Sequence, residues 1–204
     1  MASIYDLKPK FQALLRPLCD WLVARGATAN GVTLAALALS FAHGVWLAAA
    51  PGAVLPLVLL PVTLFLRMAL NAIDGMMARE HGQKSKLGAL LNEISDVAAD
   101  AALYLPFALI PGVYGLLVVL VVVVGIISEM TGALGPMVGA ARHYEGPFGK
   151  SDRAFAFGLL AVLIAIGLTP GLWSTAYLAV LLGLGVSTVL NSMRAILADD
   201  GGSA

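Results

Sequence analysis

Apolar runs of bilayer length, separated by short turns, constrain this chain more than any other feature. A helix needs roughly 20 apolar residues to cross the hydrocarbon core of a membrane. Such runs extend from Asn30 to Ala50, Val54 to Arg79, Leu87 to Ile110, Val113 to Arg142, Asp152 to Leu168 and Leu172 to Leu197. Pro51-Gly52, Pro111-Gly112 and Pro170-Gly171 punctuate the first, third and fifth exits, where helix-breaking pairs mark turns. The 204 residues are 60% hydrophobic and 12% charged, and the mean hydropathy is +0.92. A water-soluble domain of this size has too little interior to hide so much apolar surface. The pattern predicts an all-α integral membrane fold with six transmembrane helices over residues 28–198, as one domain spanning 1–204.

Residues 1–27 differ. Ile4, Leu7, Phe11, Leu14, Leu15, Leu18 and Leu22 recur at three- and four-residue steps, with Lys8, Lys10, Arg16 and Asp20 among them. This is the pattern of an amphipathic helix lying in the membrane interface. No uninterrupted apolar core of signal-peptide length occurs there. The three Pro-Gly turns carry no Lys or Arg, whereas Arg25, Arg79, Lys84, Lys86, Arg142, Lys150 and Arg153 fall on the other side. The positive-inside rule then puts both termini in the cytoplasm. Trp46 and Trp173 stand near the uncharged turns, as interfacial aromatics do. The formal net charge is zero, so no basic field points to nucleic acid. Cys19 is the single cysteine and excludes an internal disulfide. No internal repeat or second domain is evident, and 199–204 reads as a short frayed tail.

Against this apolar background the polar residues stand out, because ionisable groups inside a span are costly and mark functional sites. Arg67, Asn71, Asp74 and Ala78 share one face of the second span at about 100° per residue. On the third span Asn92, Glu93, Asp96 and Asp100 fall within an arc of about 100°. The connection from Glu80 to Lys86 is short, so the two spans are antiparallel neighbours whose polar faces meet. Hard oxygen ligands in such a cleft suit Mg²⁺ or Mn²⁺. Asp74 and Asp96 are the leading candidates, with Asn71 and Asn92 able to offer carbonyl oxygens. The bland alternative is a network of interhelical hydrogen bonds, an economical reading for one Asn but not for two facing stripes.

Asn71-x2-Asp74-Gly75-x2-Ala78-Arg79, eight residues, then Gly88-x3-Asn92-x3-Asp96 resembles the signature of the CDP-alcohol phosphatidyltransferase family. Thr28-x-Asn30-x2-Thr33 resembles a short motif at the start of the family's first span. Two positions depart: Asn71 and Asn92 stand where the family has Asp. Asp100 and Glu93 lie on the same side of the third span and are expected to compensate. Pairing Asp96 with Asp100 as the last two signature acids would lengthen the gap after Gly88 by four residues.

The resemblance implies transfer of a substituted phosphate, phosphatidyl in the leading case, from a CDP-alcohol such as CDP-diacylglycerol to an acceptor alcohol. CMP is released, and the setting is phospholipid biosynthesis. It implies Asp96 as the catalytic base and Asn71, Asp74, Asn92, Asp96 and Asp100 as the set around Mg²⁺ or Mn²⁺. It implies a nucleotide framed by Thr33, Gly75, Ala78, Arg79 and Gly88, and an acceptor side made by Lys150, Arg153 and Arg194. Homodimerisation and a bacterial inner-membrane location are also expectations of the resemblance. Glu129 is expected to pair with Arg67 or line the cleft, His43 to serve helix packing, and His81 and His143 to lie in loops without metal-ligand spacing.

Two rival readings remain open at this stage. A relative that kept the fold but lost catalysis through the two Asn residues would bind neither metal nor nucleotide productively. A small ion transporter would use intramembrane acids, but would have no need of the Gly-x2-Ala-Arg spacing beside them.

Overall fold

The computed structural model describes residues 4–144 and 146–199, with side chains from residue 11 onward. The expected tail over 200–204 and the side chains of Ile4, Leu7, Lys8 and Lys10 lie outside the described residues. Among these residues seven α-helices follow in chain order: α1 (Ile4–Ala24), α2 (Ala29–Ala49), α3 (Val54–Glu80), α4 (Lys86–Tyr104), α5 (Gly115–Leu134), α6 (Lys150–Ala165) and α7 (Leu172–Ala198). No strand occurs among the described residues.

Local chemistry sets the helix boundaries. Thr28 caps α2 by accepting from the Gly31 amide at 3.1 Å, and Ser85 caps α4 by accepting from the Gly88 amide at 2.9 Å. Each satisfies an amide that has no partner within its own helix. Gln83 adds a tie between segments: its Oε1 accepts from the Ala29 amide at 2.7 Å. The short connection after α3 is thereby held against the start of α2. At the other end of the bundle, Gly52 and Gly112 turn with φ of +78° and +83°, a region that favours glycine.

Two expected spans end earlier than their apolar runs suggest. The third becomes α4 followed by a 3-10 turn over Leu105–Leu109, and the fourth becomes α5 followed by a 3-10 turn over Gly135–Val138. Pro106 and Pro136 sit in those turns, and the missing N–H and ring of proline end a regular α-helix. Four segments are long and apolar enough to cross a membrane: Ala29–Ala49, Val54–Glu80, Gly115–Val138 and Leu172–Ala198. The count is therefore four by that measure, against the six expected. The two exceptions have separate reasons: α6 has only 16 residues, and α4 carries Lys86, Glu93, Asp96 and Asp100 in 19.

Helix α2 packs on α3 and α4, α3 on α6, and α5 on α7. The main core gathers Leu57, Leu60, Leu103, Phe107, Phe157 and Leu178. Tyr104 stacks on Phe157 with centroids 4.2 Å apart. A second cluster around Cys19, Val32, Met76 and Met77 seats α1 on α2 and α3. Outside it, Arg16 Nη2 donates to Glu80 at 2.9 Å and His81 Nε2 lies 3.1 Å from Asp20. His43 meets the packing role expected of it, with its ring nitrogens 2.8 Å from Thr63 Oγ1 and 3.0 Å from the Pro56 carbonyl.

Candidate functional site

The polar faces of α3 and α4 meet where α2 crosses both. On α3, Asn71 and Asp74 are one turn apart and share a side. Asp74 is 5% exposed, and its Oδ2 accepts from Thr33 Oγ1 at 2.7 Å. Asn71 Nδ2 donates to Asp96 Oδ1 at 2.9 Å. The second Asp96 oxygen lies 2.5 Å from Lys150 Nζ, at the start of α6. Three helices of the bundle thus contribute to one cluster, and α2 closes it from behind through Thr33.

Close approach explains the glycines of the signature. A Cβ on Gly88 would stand 2.7 Å from Asn30 Oδ1, so a side chain there would displace the Asn30 carboxamide where α4 meets α2. A Cβ on Gly75 would meet the Arg79 guanidinium at 3.1 Å. Arg79 therefore folds back along α3 and lies over Gly75. Ala78 and Gly88 are half-buried beside these residues, while Arg79 is exposed. Asn92 is also half-buried on α4.

One turn deeper, the chemistry changes. Arg67 Nη1 pairs with Asp100 Oδ1 at 2.5 Å, and its Nη2 donates to the Asp96 carbonyl at 3.0 Å. Arg153 donates through Nε and Nη2 to Asp100 Oδ2, each at 3.2 Å, and its Nη2 also meets Glu129 Oε1 at 2.5 Å. Arg67, Asp100 and Arg153 are 4%, 6% and 2% exposed. Gly125 makes room for this lattice, since a Cβ there would stand 3.0 Å from Arg153 Cδ.

Three expectations change with this geometry. Asp100 is not an open metal ligand, because two buried arginines engage its two oxygens, whereas the closest cation to Asp96 is a partly exposed lysine. Arg153 is not a guanidinium facing an acceptor, because it is buried among carboxylates. Glu129 pairs with Arg153 rather than with Arg67. In each case spacing along one helix shows the residue, and a different helix supplies its partner.

Arg194, on α7, is exposed. Glu93 turns to the protein surface and pairs with Arg142, so it adds no charge beside Asn92. In that loop the hydrogen bond from Arg142 to Glu93, followed by the charge of Glu93, raises the guanidinium pKa. Burial chiefly, then Glu93, pushes the Tyr144 phenol up. Cys19, Asp20 and His81 bring possible ligand atoms within 4.8 Å of one another. Their sequence spacing hides this, because α1 and the end of α3 meet only in the fold.

Between α3 and α6 runs a groove of about 620 Å³, with Asn71 and Lys150 at its polar part and Pro61, Leu64, Phe65 and Leu159 along its apolar walls. Phe65 and Phe155 are 54% and 72% exposed there. Nothing in the sequence signals this groove, because each of its walls reads as an ordinary apolar helix face.

The donor set fits a hard divalent cation. Asp74 and Asp96 supply carboxylate oxygens within one cluster, and a diphosphate brought into the cleft would complete a shell of the kind Mg²⁺ and Mn²⁺ adopt.

Comparison with known proteins agrees with the fold and the signature. A family model for CDP-alcohol phosphatidyltransferases matches residues 27–198. Inner membrane protein YnbA of Escherichia coli K12 is 46% identical over 195 residues, covering 96% of each chain. The phosphatidylinositol phosphate synthase PgsA1 of Mycobacterium tuberculosis, solved with CDP-DAG bound, superposes with a TM-score of 0.76 at 19% identity, covering 91% of this chain and 94% of that one. PgsA1 in complex with manganese and citrate gives 0.76 at 19% identity, covering 91% and 90%. At such identity the superpositions speak for the fold.

Proposed function

The chain belongs to the CDP-alcohol phosphatidyltransferase family, and from that premise we propose that it moves a phosphatidyl group from CDP-diacylglycerol to an acceptor alcohol, in phospholipid biosynthesis. One observation carries the reading: Asn71, hydrogen-bonded to Asp96 and one turn from Asp74 on α3, lies with Lys150 at the polar part of a groove whose other walls are largely apolar. A headgroup held at the carboxylates would leave an acyl chain lying between α3 and α6. The solved PgsA1 complex with CDP-DAG supports this choice of donor.

Asp74 and Asp96 would hold Mg²⁺ or Mn²⁺, with Asn71 and Asn92 as neutral neighbours. When bound, the ion neutralises and polarises the diphosphate. Thr33 fixes the rotamer of Asp74 through its 2.7 Å hydrogen bond. Gly75, Ala78 and Gly88 leave space for the nucleotide, and Arg79 offers a charged donor to its phosphates. Asp96 accepts the acceptor's hydroxyl proton. The freed oxygen bonds to the phosphorus that carries diacylglycerol, the bond from that phosphorus to the CMP oxygen breaks, and CMP leaves. Lys150 lines the same groove and so meets the arriving alcohol, and Arg194 stands as a second, exposed cation for the acceptor side.

The same reading treats the chain as one domain in a bacterial inner membrane, a location supported by the name of the YnbA relative. It takes α4 and α6 as spans that hide their polar faces inside the bundle, which gives six in all, with α1 in the interface. Both termini then face the cytoplasm, and a homodimer is the expected assembly. Cysteine labelling at Pro51, Pro111 and Pro170 from outside the cell checks the orientation, and labelling only from the cytoplasm would reverse it. The enzymatic test uses purified protein with CDP-diacylglycerol, Mg²⁺ or Mn²⁺ and a panel of alcohols, following CMP release. Absence of both CMP release and CDP-diacylglycerol binding under all of these conditions would overturn the reading.

A further inference from the structure

We infer that this site takes one divalent ion, and that the Lys150 ammonium serves as the second positive charge on Asp96. The inference rests on the metal reading above and goes beyond it to the number of ions and the part of one side chain.

The argument begins with the carboxylates. Four acids lie in or beside the cleft: Asp74, Asp96, Asp100 and Glu129. Asp100 has Arg67 on one oxygen and Arg153 on the other. Glu129 is engaged by the same Arg153. Among the described residues, only Asp74 and Asp96 in the cleft remain for a metal. The two positions that would add anionic donors hold carboxamides, Asn71 and Asn92. Asn71 presents its N–H to Asp96 Oδ1, so it acts toward that carboxylate as a donor.

Lys150 supplies the other half of the argument. Its Nζ is 2.5 Å from Asp96 Oδ2, within the range of a charge-assisted bond. Lys150 stands at the first position of α6, and its side chain is 34% exposed. A second dication sharing Asp96 would lie about one ligand's width from this ammonium and be repelled by it. The formal charges of Asp74, Asp96, Asp100 and Glu129 against those of Arg67, Lys150 and Arg153 sum to minus one. One divalent ion together with the anionic diphosphate of a donor keeps that total near neutral. A second ion would leave a large positive excess with no carboxylate to meet it. A lysine carried on the chain needs no metal supply, and it stays when product leaves.

The test counts ions. Mn²⁺ is equilibrated by dialysis with the full chain in nanodiscs in the presence of CDP, and the bound ion is measured by stoichiometry and by electron paramagnetic resonance. The expected result is one Mn²⁺ per chain with a signal free of Mn–Mn exchange coupling. Two coupled ions per chain would overturn the inference and leave the proposed function standing, whereas no bound ion would overturn the metal reading as well. Two variants isolate Lys150. Asn71→Asp with Asn92→Asp is expected to remain at one ion, because the ammonium still occupies Asp96. Adding Lys150→Met to that pair is expected to raise the count from one to two. A second ion in the double variant, or a folded triple variant that stays at one, would overturn the part given to Lys150.

Discussion

Asp96 and Asp100 are the same residue type one turn apart on α4, yet they serve opposite ends. The Asp96 side chain is 18% exposed and meets a lysine and a carboxamide, with Arg67 Nη2 at the longer distance of 3.6 Å. The Asp100 side chain is 9% exposed and is locked by two arginines. The difference lies not in α4 but in what α3, α5 and α6 bring to each level. Toward the α3–α4 connection the closest partners are a carboxamide and a partly solvated lysine, so the carboxylate keeps capacity for a ligand. Deeper in, two rigid guanidinium forks use both oxygens of Asp100, and Glu129 balances the second arginine. In the proposed reading one carboxylate serves the chemistry, while the next ties together α3, α4, α5 and α6.

The largest effect should come at the upper level. Asp96→Asn keeps the shape and removes the base, and activity is expected to fall by about 10²–10⁴-fold while the thermal unfolding profile in detergent stays close to wild type. A fall in activity that tracks a fall in stability would instead make Asp96 a second Asp100 and erase the contrast.

At the lower level the sign of the comparison reverses. Asp100→Ala leaves Arg67 and Arg153 buried without their shared anion, and removing one partner of a buried pair costs about 3–5 kcal/mol. Thermal unfolding should move down markedly, with residual activity of the folded fraction measured at low temperature. An Asp100→Ala protein that is stable but fails to bind Mn²⁺ would return Asp100 to the metal site.

A smaller change sharpens the boundary between the levels. Thr33→Val removes one hydrogen bond to Asp74, worth about 0.5–1.5 kcal/mol. A rise of several-fold in the Mn²⁺ concentration needed for half-maximal CMP release is expected, with little change in stability. An effect on unfolding alone would make this hydrogen bond part of the scaffold.

The smallest effect is expected at the exposed pair between Arg142 and Glu93, whose side chains are 49% and 30% exposed. Arg142→Gln should change stability by about 0–1 kcal/mol, measured by the same unfolding assay. A loss as large as that of Asp100→Ala would show that exposure is a poor guide to the worth of ion pairs in this bundle.

Much of this architecture is legible in the order of residues. Apolar runs and Pro-Gly pairs mark the helices, because a backbone in lipid must satisfy its own hydrogen bonds. The boundaries of α2, α3 and α7 fall within a residue or so of the runs that predict them. The runs ending in α4 and α5 overshoot, because hydropathy does not register Pro106 and Pro136 as ends of regular helix. Asp74, Gly75, Arg79, Gly88 and Asp96 are visible as a spaced signature, since a helix repeats its faces at fixed intervals.

What spacing along one helix leaves open is the partner on another. That Asp100 belongs to Arg67 and Arg153, that Lys150 reaches Asp96, and that α3 and α6 enclose a groove all depend on contacts between segments 25 to 54 residues or more apart. The sequence by itself determined an all-helical bundle with carboxylates and carboxamides on two meeting faces, because periodicity and the cost of intramembrane charge act locally. Only the tertiary structure decided which of those acids stays available to a ligand, because that depends on which cation packs against each carboxylate, and packing is a property of helices brought together.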